Sequence, residues 1–439
     1  MELYRLTATQ ALRKIRAKEL TVEDYAKSLL KRIQERDSIV RAWAYLDPVQ
    51  VLNEARRLDQ IPQSQRGPLH GVPVGIKDVI YTKNMPTQHN SPLYEGSAPQ
   101  VDAASVLILR NAGALIFGKT TTTEFSATTE GPKSRNPHDQ LRTPGGSSSG
   151  SSAAVADFQV PVSLGTQTGG STIRPGSFNG VWALKPTWNV ISREGQKICS
   201  LNFDTLGLFA RSIEDLVLLA DVFELEDDEA PPTRFLIRRA KFAVCRTPIW
   251  EKAGPGTRAA LEKAVALLKV HGAEVDGIDL GPDFRDLPQW HATVQATDGH
   301  VSFLPEYRRP KGKENLGSSV VEQVENTERY THADQLRALD GMAALRPKID
   351  AIAGRYAAIL TPSVVDEAPV GSHTGSYVFN NMWTALHVPV INVPGFRGKH
   401  GLPIGLSLIA PRYHDQRLLN VAKEVGRIFE SEGGWESKL

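Results

Sequence analysis

The chain has 439 residues, 41% of them apolar and 23% charged, with a net charge of +2. That length buries about three quarters of the unfolded surface, and the near-neutral balance gives no electrostatic case for a nucleic acid or a membrane surface as partner. Two cysteines, Cys199 and Cys245, exclude a disulfide framework and a cysteine-based metal cluster.

Residues 8–60 have the helical period, with Ala11, Leu12, Ile15, Leu20, Tyr25, Leu29, Leu30 and Ile33 on one face. Thr21 with Asp24 predicts a capping-box start, weakened because Asp is shorter than Glu or Gln. After the Gly67-Pro68 turn, Val72 to Ile76 reads as a strand that delivers Lys77 at its end. A helix is expected over Ala103–Asn111, a strand over Ala114–Phe117 and a helix over Ser151–Asp157. Further on come a strand over Lys241–Cys245, a helix over Thr257–Val270 and a strand over Glu274–Leu280. Helices alternating with short strands predict an α/β fold: one mixed central sheet between helix layers, in a single domain. No apolar run reaches 18 residues, and the polar N-terminus is unlike a secretory signal, so a cytoplasmic enzyme is the default expectation.

Two serine-bearing glycine segments stand out. The first is Thr143-Pro144-Gly145-Gly146-Ser147-Ser148-Ser149-Gly150. The second is Gly165-Thr166-Gln167-Thr168-Gly169-Gly170-Ser171, followed by Leu184-Lys185-Pro186-Thr187. A Ser/Gly stretch alone reads as a linker, but this one is short and runs into the apolar Ala153–Ala156. With Lys77 upstream, two serines and a lysine suffice for acyl transfer, since Ser-Lys pairs are a known variant of triad logic. Two rival patterns fail on context. Gly113 to Thr120 matches a phosphate loop, yet its interior is Ala-Leu-Ile-Phe, a buried strand rather than an open bend. Gly146 to Gly150 matches a nucleophile elbow, yet loop residues precede it instead of a strand.

The two serine loops, the Leu184–Thr187 segment, Gly75-Ile76-Lys77-Asp78 and Gly401-Leu402-Pro403-Ile404-Gly405 together resemble the amidase signature family, from about residue 5 to 430. The resemblance divides the chain into an N-terminal helical region (1–65), a signature core (70–215) and a variable substrate-facing region (285–355). It implies Ser171 as nucleophile, Ser147 as relay and Lys77 as base, with Ser147 on a cis peptide bond. Lys77 serves only if neutral, which burial favours. Glycines 169 and 170 let the backbone wrap a carbonyl, so the amides of Thr168, Gly169, Gly170 and Ser171 are the expected oxyanion hole.

Three departures from the family pattern matter. Gln167 stands where many members carry Asp. Arg174 lies three residues after Ser171 rather than two, and Asn179 replaces a frequent Cys. Arg174 either grips an anionic group of the substrate or bonds within the protein. Arg174, Thr166 and Gln167 are the candidate substrate-binding residues. Pocket walls are expected around Tyr81–His89, Thr128–Lys133 and Asn380–Trp383. The expected reaction is hydrolysis of a small non-peptide amide, carbamate, urea-like or aryl amide, by a monomer or homodimer that needs no metal or organic cofactor. The alternatives are an amidotransferase subunit passing ammonia to a partner acting on charged tRNA, a carboxylesterase-like hydrolase, or a non-catalytic binding protein.

Overall fold

The computed structural model describes residues 2–232 and 234–439. Its eleven strands are β1 (Trp43–Tyr45), β2 (Pro73–Lys77), β3 (Leu115–Thr120), β4 (Val162–Gln167), β5 (Trp182–Lys185), β6 (Thr205–Ala210), β7 (Lys241–Cys245), β8 (Glu274–Ile278), β9 (Ile359–Pro362), β10 (Val390–Arg397) and β11 (Pro403–Ile409). They form one sheet in the order β1-β3-β2-β4-β6-β5-β10-β11-β9-β7-β8. The sheet is mixed. β3, β2 and β4 run parallel, as do β9, β7 and β8, while the strands between them pair antiparallel.

Helices cover both faces of this sheet, which explains the strand sequences. A strand buried on both sides reads as a continuous apolar run rather than an alternation. Every residue of β2, β3 and β4 is buried. One large core holds Val74, Ile76, Leu164, Leu184, Leu208 and Leu406 on one side of the sheet. A second packs the N-terminal helices against Phe117, Ala153 and Phe209 on the other.

The N-terminal region is less uniform than its helical period predicts. It contains helices Ala8–Arg16, Val22–Val40 and Pro48–Asp59, with β1 inserted between the last two. The Thr21 cap is one-sided: its hydroxyl accepts from the Asp24 amide at 3.0 Å, without the return bond. Reciprocal boxes occur instead at Thr7, with Gln10, and at Thr331, with Asp334.

The sheet places the chemistry through β2 and β4. They are parallel neighbours, with Ile76 beside Leu164, so their carboxyl ends emerge together, where open sheets commonly hold ligands. Lys77 ends β2, and the Thr166–Ser171 segment continues from β4. The helix Ser149–Ala156 packs beneath them, buried at all eight positions. Among the described residues, no helix is long and apolar enough to cross a membrane.

Candidate active site

Lys77 is fully buried. Its Nζ lies 2.8 Å from Ser147 Oγ, 3.0 Å from Ser148 Oγ and 2.7 Å from Thr166 Oγ1. Burial drives its ammonium form well below the usual lysine range. Asp204 and Cys199 oppose that shift, and the nearby Arg174 guanidinium adds to it. A neutral amine has two N–H donors and one lone pair, which suits three hydroxyl neighbours if one of them donates. Ser148 sends its own proton to the Thr166 carbonyl at 3.2 Å, so it accepts from the amine. Ser147 Oγ has no other partner among the described residues and is free to donate to the lone pair.

The Gly146-Ser147 peptide is cis, in line with what the family resemblance implies. Arg174 holds it from behind: Nε and Nη2 both donate to the Gly146 carbonyl, at 3.2 and 2.6 Å, and Nη1 donates to the Gly375 carbonyl. Arg174 is buried, and its pKa falls to about 10, which leaves it cationic at neutral pH.

The segment after β4 is tied back through its carbonyls. Thr168 O accepts from His291 Nε2 at 2.9 Å, Gly169 O from Thr384 Oγ1 at 2.8 Å, and Gly170 O from the Arg174 amide at 2.9 Å. The amides of Thr168, Gly169, Gly170 and Ser171 donate to no group among the described residues. They therefore remain available to an incoming oxygen. A Cβ on Gly169 would lie 2.9 Å from the Tyr377 ring, and one on Gly170 only 2.4 Å from Asn380 Oδ1. No side chain fits at either position without moving those neighbours.

Ser171 is 8% exposed, against 1% for Ser147 and none for Lys77. The accessible end of this row of side chains is thus Ser171, and the sealed end is the amine. Among the described residues the Ser171 hydroxyl makes no hydrogen bond, to Ser147 or to anything else. Catalytic hydrogen bonds often tighten only once substrate is bound. Nearby, the buried Asp204 accepts from Thr168 Oγ1 at 2.5 Å and from the Cys199 amide at 2.7 Å, and burial raises its pKa to about 6.

The three candidate substrate-binding residues turn inward instead. Thr166 accepts from the Lys77 amine through its hydroxyl oxygen. Gln167 is fully buried: its Oε1 accepts from the amides of Thr172 and Ile173 at 2.9 and 3.0 Å, and its Nε2 donates to Thr384. That ties down the start of the helix Ile173–Asn179, where amides lack intrahelical partners. Arg174 is consumed by two backbone carbonyls, so it has no fork left for a substrate anion. Replacing Arg174 by Ala strands both carbonyls, at about 1–3 kcal/mol each. We expect Arg174→Ala to lower unfolding free energy by about 2–5 kcal/mol. Denaturant titration checks this, and a raised KM with unchanged stability would show that the side chain serves substrate after all.

The expected walls are also only partly exposed. His89 lies beneath Tyr94 and Phe125, and Trp383 is part of the core. Thr128 and Thr129 line a cavity of about 250 Å³, with Tyr377 opposite. A cavity of about 830 Å³ between Val244, Arg246 and Ile278 touches none of Lys77, Ser147 or Ser171. Sequence reasoning missed Ser148, Tyr377 and His291. A hydroxyl directly after Ser147 was visible, but its direction was not.

A serine at the mouth of a site, unengaged amides beside it and a buried lysine behind are the parts of an acyl-transfer enzyme with lysine in place of histidine. The amidase family model matches residues 24–419. The chain is 30% identical to a glutamyl-tRNA(Gln) amidotransferase subunit from Roseiflexus castenholzii, over 100% of this chain and 98% of that one. Among solved structures it is similar to an amidase, at 27% identity over 97% and 100% of the two chains, with a TM-score of 0.87. It is likewise similar to the peptide amidase of Stenotrophomonas maltophilia, at 26% identity over 97% of each, with a TM-score of 0.80. The chain belongs to the amidase family, whose members act on carbon–nitrogen bonds.

Proposed function

We propose that this amidase hydrolyses a small non-peptide amide through an acyl-enzyme on Ser171. The observation that carries this is the 2.8 Å contact between a fully buried amine and the Ser147 hydroxyl, beside a loop with unengaged amides. Ser171 Oγ attacks the carbonyl carbon and passes its proton to Ser147, whose own proton moves to Lys77. The amides of residues 168–171 hold the developing oxyanion, each donor lowering the barrier by about 3 kcal/mol. The proton then returns through Ser147 to the departing nitrogen, the C–N bond breaks, and water releases the acid by the same relay. Carbamates, urea-like compounds and aryl amides fit the same scheme, and esters follow because they have better leaving groups.

The amidotransferase relative favours a second reading, in which the chain releases ammonia from an amide donor for a partner protein. The purified chain, assayed alone for acid and amine release on amides, carbamates, esters and glutamine, separates the two. Turnover of small amides by the lone chain supports hydrolysis. Activity confined to glutamine and dependent on a co-purifying partner supports the transferase.

A further inference from the structure

Thr168 is clamped at two points. Its carbonyl accepts from His291 Nε2 at 2.9 Å, and its hydroxyl donates to Asp204 at 2.5 Å. The partners come from different elements. His291 lies on the helix Leu287–Ser302, stacked on Phe203, while Asp204 stands just before β6. β4 and β6 pair antiparallel with Gln167 opposite Thr205, so continuing that register sets Asp204 opposite Thr168. The carboxylate also accepts from the Cys199 amide at 2.7 Å. It is 2% exposed and has no ion-pair partner among the described residues. A buried carboxylate without a cation is costly, and neither Lys77, Ser147 nor Ser171 bonds to it.

The groups around Asp204 do not neutralise it. Arg193 spends its guanidinium on the carbonyls of Leu201 and Asp204 and on the Asn189 side chain. Lys197 pairs with Glu306, and Asp298 accepts from Ser200 and Asn202. Burial keeps the Cys199 thiol and the Tyr377 phenol protonated, and it keeps His291 neutral, with a pKa of about 4. Asp204 itself, at about 6, is ionised at neutral pH. The Lys77 amine is anchored close by, on Thr166 Oγ1 at 2.7 Å. Thr166 and Thr168 are two residues apart, so their α-carbons lie within about 7 Å of each other. Among the charges acting on Lys77, Asp204 favours the ammonium form and Arg174 opposes it.

We infer that Asp204 is a positioning residue for amide hydrolysis: it fixes Thr168 within the oxyanion hole and sets a negative charge against the sealed end of the relay. The inference rests on the hydrolytic reading above. The Thr168 carbonyl and the Gly169 amide share one peptide plane, so whatever holds Thr168 also aims the Gly169 N–H. A nearby negative charge favours an ammonium, so Asp204 restores part of the proton affinity that burial takes from Lys77. A base poised nearer the working pH transfers its proton more effectively.

The test follows kcat and kcat/KM against pH with a p-nitroanilide or p-nitrophenyl ester that the wild type cleaves. Asp204→Asn keeps the shape and removes the charge. We expect kcat to fall about tenfold or more, and the rising limb of kcat/KM, set by loss of the Lys77 proton, to move to lower pH. A merely structural role would lower activity without moving the limb. Thr168→Val should also lose about tenfold in kcat, and Thr168→Ser, which keeps the hydroxyl, should recover most of that loss. Thr168→Val added to Asp204→Asn should cost less than about threefold further, because the two residues act through one bond. A limb that stays in place, or a serine variant as slow as the valine one, overturns the inference. If Asp204→Asn does not fold, the valine and serine variants still decide: loss in valine alone supports it and equal activity refutes it. If a fluorophosphonate leaves wild-type Ser171 unmodified, the hydrolytic reading fails. The charge is then read directly from the Cε signals of isotope-labelled lysine by NMR, with Lys77→Met assigning the resonance. Proton loss from Lys77 at lower pH in Asp204→Asn than in wild type supports the inference, and proton loss at the same pH refutes it.

Discussion

Ser171→Ala is expected to abolish turnover while leaving the fold intact. Loss of a serine nucleophile in enzymes of this type lowers kcat by about 10⁴ to 10⁶. The structure gives reasons to expect little structural loss. The hydroxyl makes no hydrogen bond among the described residues, the side chain sits at the accessible end of the site, and Ala removes one oxygen without changing the backbone. The three carbonyl ties at Thr168, Gly169 and Gly170 do not pass through the Ser171 side chain. A melting temperature within about 2 °C of wild type is therefore expected, since surface and unbonded changes stay near 0.5 kcal/mol. Calorimetry beside an activity assay checks both parts. Appreciable residual turnover would move the nucleophile elsewhere.

Lys77→Met is expected to cost about 10² to 10⁴ in kcat at neutral pH, the usual worth of a general base, and to change two pH profiles. The working base is the neutral amine. Because the folded pKa lies well below the ordinary lysine value, wild-type kcat/KM should rise with pH through that lowered value and level off well before pH 10. The variant should lack this limb. Stability follows with a defined sign. Between the folded pKa and the unfolded value near 10.4, the unfolded chain binds the proton that the folded chain does not. Wild-type stability therefore gains with pH across that window relative to the variant. Denaturant midpoints of both proteins at several pH values read the difference. A gap that does not vary with pH would mean that Lys77 keeps its proton in the fold.

The elements legible in the sequence are those whose pattern is local. β7 coincides with its expected span, and the helix expected at Thr257–Val270 begins only two residues earlier, at Pro255, a favoured first helical residue. β1 was hidden because three residues inside a long helical period carry no signal of their own, and its pairing with β3 is a long-range event. The order of the eleven strands was equally beyond reach, since neighbours such as β5 and β10 lie some two hundred residues apart in the chain.

At the site, residue types and spacing pointed to Lys77, Ser147 and Ser171, and the fold brings the first two into contact. Side-chain direction was not encoded in the same way. For Arg174 a grip on a substrate anion and a bond within the protein were both open, and in place it faces the backbone behind Ser147. Gln167 has one oxygen for two helix amides and one nitrogen left to donate to Thr384. A carboxylate at this position could not make that last bond.

The central claim is that the acyl group of the substrate passes through one serine, activated by a sealed amine. Rapid quenching during turnover of an activated ester, followed by peptide mass spectrometry, tests it most directly. The account predicts the acyl mass on the peptide containing Ser171, absent in Ser171→Ala and slow to appear in Lys77→Met. An acyl mass on Ser147 or another residue, or steady turnover with no covalent species under conditions that trap one elsewhere, would contradict it.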